Sequence, residues 1–212
     1  MTEGSLITEL WASLQTAGAA MWGWELVAVI LAIAYLLLAL KENILCWYAA
    51  LISTTIFTVL FWNVSLVMES LLQVYYIGMA IYGWYQWRQP KEGKPLKISC
   101  WSASRHLQVI GGVVLVSLIS GYLLNRHTEA AWPYLDSFTT WASVATTYMV
   151  TKKVLENWLY WIVIDSLSIF LYLDRGLHLT ALLFVGYTVI AVFGFWQWRQ
   201  NYQQEQPELA NA

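Results

Sequence analysis

Asn157, Trp161 and Asp165 follow one another at intervals of four residues, and Ser168 and Tyr172 continue the row. On an α-helix that spacing puts all five on one face. The set suits recognition of a flat cation, with a carboxylate to balance charge and an indole face for stacking and cation–π attraction. The flanking sequence is apolar, and neither lysine nor arginine lies at comparable depth. An ionisable group there costs several kcal/mol unless it is paired, hydrated or protonated. Asp165 therefore reads either as a substrate contact or as a neutral, hydrogen-bonded structural acid. Gln73 and Tyr76 form a second polar row three residues apart, with Glu69 one turn before Gln73. An amide in hydrocarbon needs partners, whereas Glu69 falls near a segment boundary where water can reach it.

The elements that must hold these residues are long and apolar. Of 212 residues 59% are hydrophobic and only 11% charged, against about 25% charged in soluble domains. A net charge of −2 removes the basic face that nucleic-acid binding requires. Two cysteines make neither a disulfide scaffold nor a cysteine metal cluster. A bilayer core needs roughly 20 apolar helical residues, and seven such stretches run near 24–40, 46–62, 67–87, 107–124, 136–150, 157–173 and 178–198. Pro90, Pro95, Pro133 and Pro207 lie outside them or at an edge. The β-barrel alternation is missing. The expected fold is thus all-α and integral to a membrane.

Nine basic residues (Lys41, Arg88, Lys91, Lys94, Lys97, Arg105, Lys152, Lys153, Arg199) fall on one side of these spans, and two (Arg126, Arg175) on the other. The positive-inside rule then places the N-terminus outside and the C-terminus in the cytosol. Residues 1–20 form an extracytoplasmic segment, in which 5–15 read as an interfacial helix or a frayed tail. No basic cluster marks a cleaved signal peptide in Met1–Gly4. Cys46 and Cys100 fall on the cytosolic side and should stay reduced.

The chain repeats itself. Shifted by 111 positions, residues 21–90 align with 132–201 without a gap, and Trp47, Tyr76, Gly83, Trp87 and Arg88 meet Trp158, Tyr187, Gly194, Trp198 and Arg199. Each repeat holds three spans, and residues 91–131 supply a cytosolic loop and one linking span. That odd link forces both repeats into the same orientation, a 3+1+3 parallel arrangement with a substrate site near midplane between the halves. The tail is 202–212. The copies diverge in polarity. ELVAVILAIAYLLLAL in the first faces DSFTTWASVATTYMVT in the second, which carries seven Ser and Thr. Half of those are expected to bond back to their own helix and the rest to face a polar interior. Asn157, Trp161 and Asp165 align with Cys46, Ala50 and Thr54, so the polar stripe belongs to the second copy alone. Among the 14 tryptophans, Trp22, Trp24, Trp62, Trp132, Trp84, Trp87, Trp196 and Trp198 read as interfacial belts, Trp47 and Trp158 as belt or gate, and Trp141 and Trp161 as deeper.

ENWLYWIVIDSLSIFLY at 156–172, LQVYYIGMAIYGWYQW at 72–87 and WPYLDS at 132–137 resemble the signatures of the bacterial PnuC family of nicotinamide riboside transporters. The resemblance implies a seven-helix core related to the SWEET sugar transporters and a homotrimer in the bacterial cytoplasmic membrane. It further implies facilitated diffusion, with the vitamin trapped by a cytosolic kinase. Carried over by position, its pocket would use Gln73, Asn157, Trp158, Trp161 and Asp165, with Tyr76, Asp136 and Thr140 nearby. Several nicotinamide riboside carriers have Asn where this chain has Asp165, and the thiamin-carrying PnuT branch shares the scaffold. The expected partner is therefore a small cationic vitamin, nicotinamide riboside or thiamin, besides membrane lipid.

An enzyme would need a nucleophile–base set or a metal cluster. His106, His127 and His178 lie at span edges without ligand spacing, and no Walker motif occurs. The sequence implies neither cofactor nor metal. An ion-coupled symporter using Asp165 stays an alternative.

Overall fold

A computed structural model describes residues 23–63, 67–88, 96–128 and 132–210. The expectations for residues 1–20, Trp22, Lys91 and Lys94 lie outside them. Seven helices are present among the described residues: α1 (Gly23–Leu40), α2 (Leu45–Asn63), α3 (Val67–Arg88), α4 (Ala103–His127), α5 (Pro133–Thr151), α6 (Asn157–Asp174) and α7 (His178–Ala210). The shift of 111 that aligns the sequence also carries the ends of α1 and α2, and the start of α3, onto those of α5, α6 and α7. Four helical segments are apolar enough to cross a membrane by length and composition alone: Gly23–Leu40, Leu45–Asn63, Ala103–His127 and Thr180–Glu205. The other three helices, α3, α5 and α6, carry the polar side chains singled out above. Their lower hydropathy reflects those polar side chains, which are costly against lipid and belong on an interior face.

Packing follows a ring. α1 packs on α2, α2 on α3, α3 on α5, α5 on α6, α6 on α7, and α7 returns to α1. Among the described residues no helix pair packs across the ring. The linking helix α4 packs on α5 from outside, where Gly121 lets Tyr134 come close and Ser117 donates to the Ser137 carbonyl at 3.4 Å. Ser102 caps α4, and Pro133 opens α5. Inside the first repeat, Ser53 donates to the Ala28 carbonyl at 2.7 Å.

The ring is tightest at the end where Lys41, Arg88, Lys152 and Arg199 gather, called here the basic end. Trp47 lies against Gly83 and, one repeat later, Trp158 lies against Gly194; a Cβ on either glycine would collide with the indole. Trp47 meets Trp87 edge-on at 5.3 Å, and Trp158 meets Trp198 edge-on at 5.4 Å. Trp87 and Trp198 then face each other at 6.3 Å. These four rings are two repeat-related pairs joined in the middle. The belt reading is thereby corrected for Trp198, which is fully buried, and for the half-buried Trp87. Both point into the ring, and Trp198 Nε1 donates to the last carbonyls of α1, Ala39 and Leu40, at 3.1 Å.

Two further differences concern helix ends. α7 continues to Ala210, past the apolar span that ends near 198. Residues 96–102 are not a free loop. Ser99 pairs with the α5–α6 turn, donating to the Lys153 carbonyl at 3.0 Å and accepting from the Leu155 amide at 2.8 Å. In the turns after α1 and α5, the repeat-related Glu42 and Lys153 both adopt left-handed backbone, with φ of 53° and 50°. Such a conformation costs a side-chain-bearing residue about 1–2 kcal/mol, so the surroundings must hold both.

Candidate functional site

The polar face of α6 points into the ring. Asn157, Asp165 and Ser168 are buried, while Trp161 and Tyr172 are half-buried. Helix geometry spreads Asn157 to Asp165 over about 12 Å of depth. Asp165 is 4% exposed, and among the described residues it forms no ion pair. The phenol of Tyr187 on α7 lies near it, linked through the Phe184 ring to Tyr172, with centroids 5.4 and 4.9 Å apart. Across the ring, Tyr76 on α3 lies near Ser143 on α5 and near Tyr172. Tyr35 on α1 closes the set beside Tyr76 and Cys46. Tyr187 is thus the phenol beside Asp165, while Tyr35 packs on Trp47 at 6.0 Å, toward the basic end.

Tyr35, Ser143 and Tyr187 were not among the residues expected at the site. The repeat could have found Tyr187, which aligns with Tyr76. Apart from Trp24 at its start, Tyr35 is the one aromatic of α1, a signal that only the ring closure interprets.

The remaining expected residues fall at different depths. Gln73 is half-buried one turn from Tyr76 on α3, and Thr140 is half-buried one turn from Ser143 on α5. Asn157, fully buried in the first turn of α6, donates to the Val154 carbonyl at 2.7 Å. Its Oδ1 has no partner among the described residues. Trp158 sits at the same end within the aromatic quartet, two turns from Asp165, and so belongs to the closure of the basic end. Asp136 lies at the opposite end, half-exposed, 3.4 Å from Arg175. Close by, Trp132 Nε1 donates to Asp174 at 2.7 Å.

The hydroxyls of α5 bond back to their own helix more than expected. Thr139, Ser143, Thr146, Thr147 and Thr151 each donate to a carbonyl three or four residues earlier, leaving Ser137 and Thr140 of the seven. Trp141, read as deeper, lies mid-helix on α5 but on its outward side. It is 38% exposed and donates to Ser120 on α4 at 3.1 Å. That leaves Trp161 as the indole of α6 beside the polar interior. In the first repeat, Thr54 at the place of Asp165 spends its hydroxyl on Ala50 and Leu51 carbonyls.

Over residues 22–200 the chain matches the nicotinamide mononucleotide transporter family. It is 27% identical to the nicotinamide riboside transporter PnuC of Escherichia coli over 187 residues, 76% of this chain and 78% of that protein. It is 23% identical to the riboflavin/roseoflavin transporter RibM of Streptomyces davaonensis, covering 89% of this chain and 90% of that one. Its fold resembles the crystal structure of the vitamin B3 transporter PnuC with a TM-score of 0.70, at 21% identity, over 96% of this chain and 94% of that one.

Proposed function

The chain belongs to the nicotinamide mononucleotide transporter family, a family of multi-pass membrane transporters rather than enzymes, and from that premise we propose that its substrate is nicotinamide riboside. The observation that carries this reading is the buried Asp165, with no basic partner, on the interior face of the second repeat only. A carboxylate in that position favours a positively charged ring. It also disfavours a phosphorylated ligand, since a phosphate brings about −1.5 to −2 charges and the described interior offers no lysine or arginine at that depth. The unphosphorylated riboside fits and the mononucleotide does not.

In this reading the pyridinium ring stacks on Trp161 and is balanced by Asp165. Gln73, Thr140 and Tyr76 hydrogen-bond the carboxamide and ribose from the facing helices. Asn157 Oδ1 is the acceptor nearest the basic end. Trp158 and Asp136 mark the two ends of the path rather than its middle. The halves rock about the site in turn, with the basic end in the cytosol and three chains per assembly. Net uptake then runs downhill and is drawn inward by a cytosolic kinase.

Thiamin is the second reading, because its ring is also a flat cation and Asp165 serves it equally. Calorimetric titration of the purified protein with nicotinamide riboside, its mononucleotide, thiamin and riboflavin tests both. The riboside is expected to bind, with the mononucleotide and the neutral flavin at least about tenfold weaker. Thiamin binding alone would move the assignment to the second reading. Binding of the mononucleotide as tightly as the riboside would contradict the role given to Asp165. Uptake that collapses without a proton or sodium gradient would replace downhill movement by coupled transport.

A further inference from the structure

We infer that Glu42 and Lys153 form a latch holding the two repeats together at the basic end, and that it must part for the central site to open there. Resting on the transporter reading above, it concerns access to the site rather than which vitamin fills it.

Lys153 Nζ lies 2.7 Å from Glu42 Oε2, and both side chains are largely buried. The pair joins the α1–α2 turn of one repeat to the α5–α6 turn of the other. Glu42 Oε1 is occupied as well, accepting from Asn201 on α7 at 2.7 Å. Gln197 in turn donates to Asn201 at 3.1 Å. The Lys153 ammonium also stands over the Trp87 ring at 4.7 Å. Carboxylate, ammonium and aromatic quartet therefore form one continuous closure.

The positions argue for more than stability. Glu42 and Lys153 are repeat equivalents in the same left-handed turn, so the bond crosses the axis relating the two halves. Movement of one half against the other must change that distance. A buried ion pair is a weak source of stability against an apolar substitute, yet removing one partner leaves the other charge buried and unpaired, at a large cost. Once the turns separate, water solvates both charges, so the open state is accessible as well.

Cys46 reports on the latch directly. It is fully buried in the first turn of α2, in the same cluster as Trp47, Trp158 and Trp198. The other cysteine, Cys100, is exposed and can be replaced by serine. In the Cys100→Ser protein without substrate, a membrane-impermeant maleimide should modify Cys46 slowly. Glu42→Gln and Lys153→Met should each speed that reaction by about tenfold or more. Asn201→Ala, a milder change, should speed it about threefold. The exchange Glu42→Lys with Lys153→Glu should return most of the parent's protection. Unchanged rates in both Glu42→Gln and Asn201→Ala would overturn the latch. Rates as fast in the exchange as in the single variants would overturn it too, by marking local loosening instead. Because no vitamin is present, the result is independent of the substrate assignment, which the titration decides.

Discussion

Lys153 and Glu42 are 111 positions apart, the interval by which the chain repeats, and they meet at 2.7 Å. Symmetry-related turns have thus acquired opposite charges and bond to each other across the axis. The same divergence appears at depth, where Asp165 faces the interior and its counterpart Thr54 bonds to its own helix. Duplication supplied the frame, and unequal substitution made the two copies chemically different.

Asp165→Asn should weaken binding of a cationic vitamin by about tenfold or more, since a desolvated charge partner is lost. Thr54→Asn should change it by less than about threefold, because Thr54 holds only local carbonyls. Calorimetric titration of both variants measures the contrast. Equal, mild effects would contradict an asymmetric site.

Trp161→Ala and Trp158→Ala should separate binding from folding. Loss of a desolvated cation–π contact at Trp161 should cost about 1–2 kcal/mol of affinity with little change in Tm. Trp158 is 2% exposed inside the quartet, so truncation should lower stability by about 3–5 kcal/mol. Thermal unfolding in detergent, run beside the titration, distinguishes the two.

Gly83→Ala and Gly194→Ala should both lower Tm. In an exposed helix the change from Gly to Ala stabilises by about 1 kcal/mol, but here the new Cβ meets Trp47 or Trp158. Gly78 has nothing within 4 Å of that position, so Gly78→Ala should leave Tm unchanged or raise it. A rise at all three positions would contradict the tryptophan–glycine packing.

Asp136→Asn should affect binding less than Asp165→Asn. Asp136 is paired with Arg175 at the half-exposed opposite end, and pairs of this kind contribute about 0–1 kcal/mol. Titration reads the difference, and an equal loss would move Asp136 into the site.

The seven spans, the repeat and the polar stripe of α6 were legible because apolar length, self-similarity and helical spacing are all written along the chain. Burial partners were not. Trp87 and Trp198 end apolar spans, where tryptophan usually marks the membrane surface, and only ring closure brings α7 onto α1 and turns Trp198 inward. The rotation of α5 was equally hidden, since α4 packs outside the ring and draws Trp141 toward Ser120. Hydroxyl counts overstated the polarity of α5, because five of its seven Ser and Thr are satisfied within the helix. Glu42 and Lys153 are a pair only in three dimensions, although their shared interval was already in the sequence.

The most direct test of the central claim is to locate bound nicotinamide riboside in the protein. The account places the ring between the repeats, against Trp161 and within about 6 Å of the Asp165 carboxylate. A ring found against the first repeat alone, or outside the helical ring, would contradict it.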